Sequence, residues 1–161
     1  MKLIWTKSNN PLSLFIRWGL KEPCSHVVIV FDNKIVFHSN LKGAHIEWFQ
    51  TFKKHVTIVH QIEYKLPLEE EEIVYQNIVN AYDQKAYDYK AFGFFIWRAL
   101  LFRIMNKPFP SKNSWGSPNG YLCTGLAGQL PIEIIPGLEK AQDKDMLSPQ
   151  KLYEILSASS S

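Results

Sequence analysis

Cys123 is the residue whose surroundings most suggest chemistry, because it lies between an aromatic-aliphatic pair and a run of small residues in the stretch NGYLCTGLAG. The pattern predicts that a helix begins near this cysteine, where unpaired backbone amides and the helix dipole favour a thiolate over a thiol. The backbone amide of Cys123 could also point at a developing oxyanion. A nucleophilic thiol is one interpretation, and a buried, unreactive cysteine on a helix face is the other.

A nucleophilic cysteine needs an imidazole that takes its proton and a third group that orients the imidazole. His26 begins the strand-like stretch SHVVIVFD, and His38 lies near the end of the next stretch, IVFHSN. Residues 32–34 between them predict a tight turn, so antiparallel pairing would bring the two histidines close together. We therefore expect His26 to be the base and His38 to orient it, although a strand histidine taken alone is more often structural.

Other polar and aromatic residues are weaker candidates for a role in the site. Glu47, on the third predicted strand, is a reserve for the orienting role, and an exposed strand carboxylate is its simpler interpretation. His55 and His60 are interpreted as surface or strand residues. Tyr121 and Trp115 are predicted to line a substrate cleft, with simple packing as the alternative. The pattern predicts neither a metal site nor a cofactor.

The elements that would position these residues predict a small α+β protein. An opening segment holds one short strand, and three stretches up to residue 48 predict an antiparallel meander, which VTIVHQIEY extends by another strand. Helices are predicted over about 68–83 and 89–105, from the Cys123 stretch, and in SPQKLYEIL. In the last of these, Ser148 can cap the helix and Pro149 takes its favoured first position. We expect a small antiparallel sheet packed against helices in a single domain, 1–161.

Composition excludes some classes of partner. The net charge of +3 arises from 18 basic and 15 acidic residues spread over 161 positions, without the dense basic block that tracks phosphates, so nucleic acid is not indicated. Cys24 and Cys123 form neither a CxxC pair nor a zinc pattern, and we expect reduced thiols rather than a disulfide.

Two apolar stretches bear on localisation. The N-terminal stretch lacks the unbroken apolar run of a signal peptide, and KAFGFFIWRALLFRIMNK is interrupted by Arg98 and Arg103 and is too short to span a bilayer. We expect a cytoplasmic or phage-associated protein without a leader or a transmembrane span. The Trp, Phe and Arg content of the second stretch also suits contact with a membrane surface.

The order of the motifs carries a family resemblance. SHVVIVFDNKIVFHSNLKGAHIEWFQTF, then AYDY, YLCTGLAG and LSPQKLYEIL, resembles the circularly permuted NlpC/P60 group of papain-like cysteine hydrolases over about residues 23–156. It is most similar to the YiiX/YebB-like branch and, more distantly, to lecithin retinol acyltransferase-like proteins. In that group a histidine opens the first core strand, a polar residue follows on the next, and the nucleophilic cysteine comes last. His26, His38 and Cys123 occupy these places in that order.

The chain departs from the family pattern at several positions. His38 stands where the YiiX-like branch usually carries Glu, and this looks like the His-His-Cys set of the acyltransferase-like proteins. Thr124 and Gly125 replace the Ser-Glu that follows the nucleophile, and Val28 replaces a common Gly. These departures affect the third role and the substrate more than the nucleophile and base.

The resemblance implies a bacterial or phage cysteine hydrolase that cleaves an amide bond through a thioacyl intermediate, with a cell-wall peptide as the leading substrate. Two alternatives stay open. One is a lipid-directed acyltransferase or thioesterase, in which case the partner is an acyl substrate. The other is a noncatalytic binding module on the same fold.

Overall fold

Five strands form one antiparallel sheet in the computed structural model, which describes residues 1–83, 87–108, 114–115, 122–140 and 147–159. The strands are β1 (Lys2–Lys7), β2 (His26–Phe31), β3 (Ile35–Asn40), β4 (Gly43–Trp48) and β5 (Thr57–Glu63). Their order across the sheet is β4-β3-β2-β1-β5. The meander β2-β3-β4 is as predicted from the sequence.

Helices cover both faces and the ends of this sheet. They are α1 (Pro11–Leu20), α2 (Phe49–Phe52), α3 (Leu68–Tyr82), α4 (Tyr89–Met105), α5 (Cys123–Ala127) and α6 (Pro149–Ser159), with short 3-10 turns at Lys53–His55 and Leu138–Lys140. The predicted α+β class, a small antiparallel sheet packed against helices, is confirmed. The helix predicted around Cys123 is shorter than expected, because it ends before Gly128.

The turn between β2 and β3 fixes the pairing of the two strands. Asp32 and Asn33 both have positive φ, 45° and 54°, as mirror-image hairpin turns require, and Asp and Asn tolerate this conformation better than most residues. The turn sets Phe31 opposite Ile35 and leads into the pair of Ile29 with Phe37. A slip by one residue would turn every side chain of β3 to the other face.

The first 20 residues contribute more than the sequence pattern indicated. Strand β1 lies between β2 and β5, and its Trp5 is fully buried. The segment interpreted only as mixed and apolar is the helix α1, with Pro11 in its first turn. Asn10 caps it, since its Oδ1 accepts a hydrogen bond of 2.7 Å from the Ser13 amide. The capping signal was therefore present in the sequence.

The alternation of side chains along the strands builds a core on each face of the sheet. One face packs against α3, α5 and α6, and its buried strand residues are Leu3, Trp5, Val27, Ile29, Phe31 and Phe37. The opposite face packs against α2, and its buried cluster is Ile4, Val28, Val30, Val36 and Phe52. The two strands that carry His26 and His38, β2 and β3, thus pack against buried clusters on both faces.

A third, smaller core joins α1 to α4. It is formed by Ile16, Leu20, Phe95 and Ala99. The helices approach closely, because a Cβ atom placed on Gly19 would lie 3.3 Å from the Cβ of Ala99. Among the described residues, no helix combines the length and the apolar character that crossing a bilayer requires.

Helix α6 is anchored to the loop before β2 by a partly buried polar contact. Ser148 caps α6, accepting a hydrogen bond of 3.2 Å from the Lys151 amide, and it donates one of 2.6 Å to Oε1 of Glu22. Pro149 takes the first helical position, so both predictions for this helix start are confirmed. Burial raises the pKa of Glu22 from 4.5 to about 7, and the Ser148 hydrogen bond only partly opposes this.

Glu22 should make folding stability fall as the pH rises. Its folded pKa, about 7, lies above the ordinary 4.5, so the folded state holds a proton that the unfolded state has lost between these values. We expect this one group to cost up to about 3 kcal/mol by neutral pH. Chemical denaturation at pH 4.5 and pH 7.5 should show Glu22→Gln gaining on wild type as the pH rises. The exposed control Glu70→Gln should follow wild type at both values, and a Glu22→Gln gain that is independent of pH would contradict the assignment.

Candidate active site

His26 and His38 lie side by side at the end of the hairpin. Nε2 of His26 is 2.9 Å from Nδ1 of His38, and the rings meet edge to face at 5.2 Å. Strand β2 pairs with β3 so that Ile29 lies opposite Phe37, and continuing this register by one residue places Val28 opposite His38. His26 lies two residues before Val28 on β2 and therefore faces the same side of the sheet. Such diagonal neighbours are within reach across an antiparallel pair. The structure thus brings the two predicted histidines together.

The diagonal continues onto the third strand of the meander. Oε1 of Glu47 lies 2.9 Å from Nε2 of His38, although the two groups are not aligned as a hydrogen bond. Glu47 pairs with Val36 in the ladder, and His45 stands directly opposite His38, with ring centroids 4.5 Å apart. The sequence offered Glu47 as an alternative to His38 for the orienting role. In the structure Glu47 contacts His38, and His38 contacts His26.

Burial keeps both histidines of this pair neutral. It lowers the pKa of His38 to about 2, and the neighbouring His26 and His45 add to the effect. Burial also lowers the pKa of His26 to about 4, again with a contribution from His45. Each ring at neutral pH therefore carries one N–H and one free acceptor nitrogen. A neutral imidazole is the form that can accept a proton from a thiol.

Cys123 is the first residue of α5, and Leu122 before it supplies no side-chain cap. The backbone amides of Val27, Thr124 and Cys123 itself face the sulfur and favour the thiolate. Burial outweighs them and raises the pKa of Cys123 above its ordinary value of 9.0. The backbone amides at the helix start do lower the pKa of Cys123, as expected. The net shift of the pKa is nevertheless upward, so the resting group is a neutral thiol.

One cavity of about 630 Å³ gathers the three predicted residues, since Cys123, His26 and His38 all line it. Its walls are mixed. Its polar lining includes Thr6, Ser25 and Glu47 besides the histidines, whereas α1, α4 and the segments flanking α5 and α6 contribute the apolar side chains of Leu12, Ile16, Phe92, Phe95, Leu122 and Leu147. A cavity of this size can hold a small molecule or one end of a longer substrate.

Tyr87 is a cavity residue that the sequence reasoning did not select. Burial raises the pKa of its phenol, and the nearby Cys123 adds to the rise, so Tyr87 remains a neutral donor. The next residue, Asp88, is buried and caps α4 by accepting a hydrogen bond of 2.8 Å from the Ala91 amide. The AYDY motif could have indicated this position, because its aspartate caps α4 and the preceding tyrosine therefore lies at the start of that helix.

The two aromatic residues predicted to line the cleft have different outcomes. Trp115 is not among the residues that line this cavity, and its role in substrate binding stays a prediction. Its ring packs against Phe94, with centroids 5.3 Å apart, on the outer side of α4, and 52% of it remains exposed. Tyr121 lies outside the described residues.

Three side chains, one of which is His38 of the histidine pair, could hold a metal ion. The candidate ligand atoms of His38, His45 and Glu47 all lie within 4.8 Å of one another. Nδ1 of His45 lies 3.0 Å from the carbonyl oxygen of Gly43, which leaves its Nε2 as the ligand atom. Because the set comes from two neighbouring strands, the spacing along the sequence gave no metal pattern.

Cys24 is in a different environment from Cys123. It is fully buried, its thiol donates to Oε1 of Gln150 at 3.5 Å, and burial raises its pKa to about 12. Both cysteines are free thiols, as the sequence reasoning preferred.

Comparison of the chain with protein-family models, with curated proteins and with solved structures finds no match. The chemistry of the site therefore depends on the geometry given above, and the resemblance of the motifs remains a hypothesis.

Alkylation should separate the two thiols. We expect iodoacetamide to modify Cys123 alone in the folded protein, because Cys24 is fully buried, and the rate should still be rising above pH 9.0 because burial raises the thiol pKa. Intact mass and peptide mapping measure both points. Cys24→Ser should leave the labelling unchanged and Cys123→Ser should abolish it. A rate that levels off below pH 8 would contradict a neutral resting thiol.

Proposed function

We propose that this protein is a thiol-dependent hydrolase that cleaves an amide bond, with Cys123 as nucleophile, His26 as base and His38 as the residue that orients the base. The observation that carries the proposal is the 2.9 Å contact between His26 and His38, two residues that line the same cavity as Cys123. A thiol, a base and an orienting group in one cleft are the parts that covalent acyl transfer needs.

In the first step, His26 takes the proton of Cys123 as the sulfur attacks the substrate carbonyl. A carbon–sulfur bond forms, the carbon–nitrogen bond breaks, and His26 passes the proton to the leaving amine. We expect proton transfer to accompany attack, because burial raises the thiol pKa and lowers that of His26 to about 4. The resting pair is therefore thiol and imidazole rather than an ion pair.

In the second step, water attacks the thioester while His26 takes one of its protons. The carbon–sulfur bond breaks, a carboxylic acid is released, and the proton returns to the sulfur. The backbone amide of Cys123 would hold the oxyanion in both steps. Tyr87, a neutral phenol close to the thiol, is a second donor in the same cavity.

Glu47 completes the proposal as a positioning residue. Its carboxyl oxygen beside Nε2 of His38 favours the tautomer that keeps a hydrogen on that nitrogen. Nδ1 of His38 then accepts from Nε2–H of His26, which leaves Nδ1 of His26 free to take the thiol proton. In the opposite tautomer of His38, Nδ1 carries the hydrogen and donates it to Nε2 of His26. Nδ1 of His26 then carries its own hydrogen and cannot accept the thiol proton.

The leading substrate is the amide of a cell-wall peptide, as the family resemblance implies. A second candidate, a lipid-directed thioesterase or acyltransferase, is favoured by one observation, the apolar wall that includes Leu12, Ile16, Phe92 and Phe95. An extended hydrocarbon chain buries apolar area against such a wall, whereas a charged stem peptide does not. Both candidates use the same acyl chemistry at Cys123.

A trapped acyl-enzyme tests the proposal and chooses between the substrates. Rapid acid quench after mixing with a stem peptide, or with a fatty-acyl thioester, should reveal a mass increase equal to the acyl group. Cys123→Ser should remove the increase and Cys24→Ser should retain it. An adduct with the peptide supports the first substrate and an adduct with the thioester the second. No adduct with either would contradict the hydrolase and leave a binding module.

The tautomer argument predicts a graded loss of activity. With the substrate that forms the adduct, Glu47→Gln should lower kcat about 10- to 100-fold at nearly constant KM, because the amide can donate to His38 and favour the wrong tautomer. His26→Ala should lower kcat by about 100-fold or more. The matched control Glu63→Gln, which neutralises an exposed carboxylate on β5 outside the cavity lining, should stay within a few-fold of wild type. Equal effects of Glu47→Gln and Glu63→Gln would refute a specific role for Glu47.

A further inference from the structure

Helix α4 is apolar around most of its circumference and yet lies at the surface. Its sequence YKAFGFFIWRALLFRIM has apolar residues on every side, but only Ala91, Phe95 and Ala99 are buried. Two of them, Phe95 and Ala99, lie four residues apart and pack against Ile16 and Leu20 of α1. A helix that is apolar all round normally belongs in a core or in a lipid environment. The remaining faces of α4 therefore call for an explanation other than packing within the chain.

The exposed apolar side chains of α1 and α4 are large. Trp18 of α1 is 49% exposed, and Trp97 and Ile104, which lie at heptad spacing on one face of α4, are 52% and 72% exposed. Leu14 of α1 and Met105 of α4 are 49% and 56% exposed. We call these five residues, together with Arg103, the α1–α4 surface. Clustered exposure of this kind marks a site of interaction, whereas isolated apolar residues do not.

The charges on these two helices are of one sign. Arg17 in α1, and Lys90, Arg98 and Arg103 in α4, are their only charged residues, and no acidic residue occurs in either helix. The guanidinium of Arg103 lies over the ring of Trp18 at 5.3 Å, which joins the C-terminal end of α4 to α1. Arginine beside tryptophan at the border of an apolar surface suits the headgroup region of a bilayer.

We propose that the α1–α4 surface docks on a lipid bilayer that carries anionic headgroups. The apolar side chains would enter the headgroup and acyl boundary, and the exposed Lys90 and Arg103 would pair with lipid phosphates. Arg17 and Arg98 donate to the backbone carbonyls of Ser8 and Pro108 and would add only to the local positive charge. Helices that carry basic but no acidic residues are complementary to an anionic surface, and the exposed tryptophans beside arginine favour lipid headgroups as that surface.

Docking in this way would bring the cavity to the lipid. The inner sides of the same helices supply Leu12 and Ile16 from α1, and Phe92 and Phe95 from α4, to the apolar wall of the cavity. An acyl chain could then reach Cys123 without crossing bulk water. The delivery of an acyl chain rests on the proposed function, while the docking itself does not.

Vesicle sedimentation tests the docking without any catalytic readout. The full chain with Cys123→Ser is mixed with vesicles of phosphatidylcholine alone, or of phosphatidylcholine with phosphatidylglycerol in equal parts. We expect binding to the anionic vesicles at least about tenfold stronger than to the neutral ones, reduced by high salt. Tryptophan emission should shift to the blue as Trp18 and Trp97 leave water.

Matched substitutions locate the surface. Trp18→Ser with Trp97→Ser should weaken binding about tenfold or more, and Arg103→Gln should weaken binding to anionic vesicles alone. The controls are Trp48→Ser, which removes a tryptophan that is 66% exposed on β4, and Lys54→Gln, which removes an exposed charge near α2. Both controls should bind like the parent chain. Circular dichroism confirms that each variant is folded.

Three results would overturn the docking proposal. They are absence of binding to either vesicle, equal binding by the double tryptophan variant, and a dimer in sedimentation velocity that the same variant abolishes while no vesicle is bound. The last would assign the surface to a second copy of the chain. If vesicles bind as expected but no acyl adduct forms at Cys123 in the wild-type chain, the docking stands and the hydrolase proposal fails.

Discussion

The pairing of β2 with β3 is the constraint on which the site depends. Two consecutive residues with positive φ close the hairpin, and they decide which residues of the two strands face each other. That register, and no other, sets His26 and His38 on one face at diagonal positions, with their ring nitrogens 2.9 Å apart. The same alternation places Glu47 at the next diagonal position on β4. A polar line thus runs from β2 over β3 to β4, beside the apolar Val28, Val30 and Val36 of the same face.

The surroundings of this polar line determine its electrostatics. Phe52 packs edge to face on His38 with ring centroids 5.4 Å apart, and Val28 and Val36 belong to the same buried cluster. Low polarity around the imidazoles disfavours their cations, and the sulfur of Cys123 is disfavoured as an anion for the same reason. Neutral groups in contact do not attract one another as ions would, so the geometry must come from the strands and helices and not from charge pairing.

Much of the fold could be predicted from the sequence because its signals are local. The hairpin, the meander, the helix α4 and the Ser148-Pro149 helix start each depend on neighbouring residues. The central place of β1 could not be predicted, since it depends on pairing with both β2 and β5, distant in sequence. For the site, the order of motifs indicated Cys123, His26 and His38. Tyr87 was missed, because its place in the cavity depends on how the segment before α4 packs against Cys123, a residue distant in sequence.

The cavity collects residues from Thr6 of β1 to Pro149 of α6, so segments from both ends of the chain are needed to build it. Ribosomal synthesis delivers these parts in order, and the wall is incomplete until the segment around Leu147 and Pro149 has emerged and docked. Reactivity at Cys123 is thereby tied to completed folding: a nascent or clipped chain that carries the thiol and both histidines would still lack one side of the chamber that shields them.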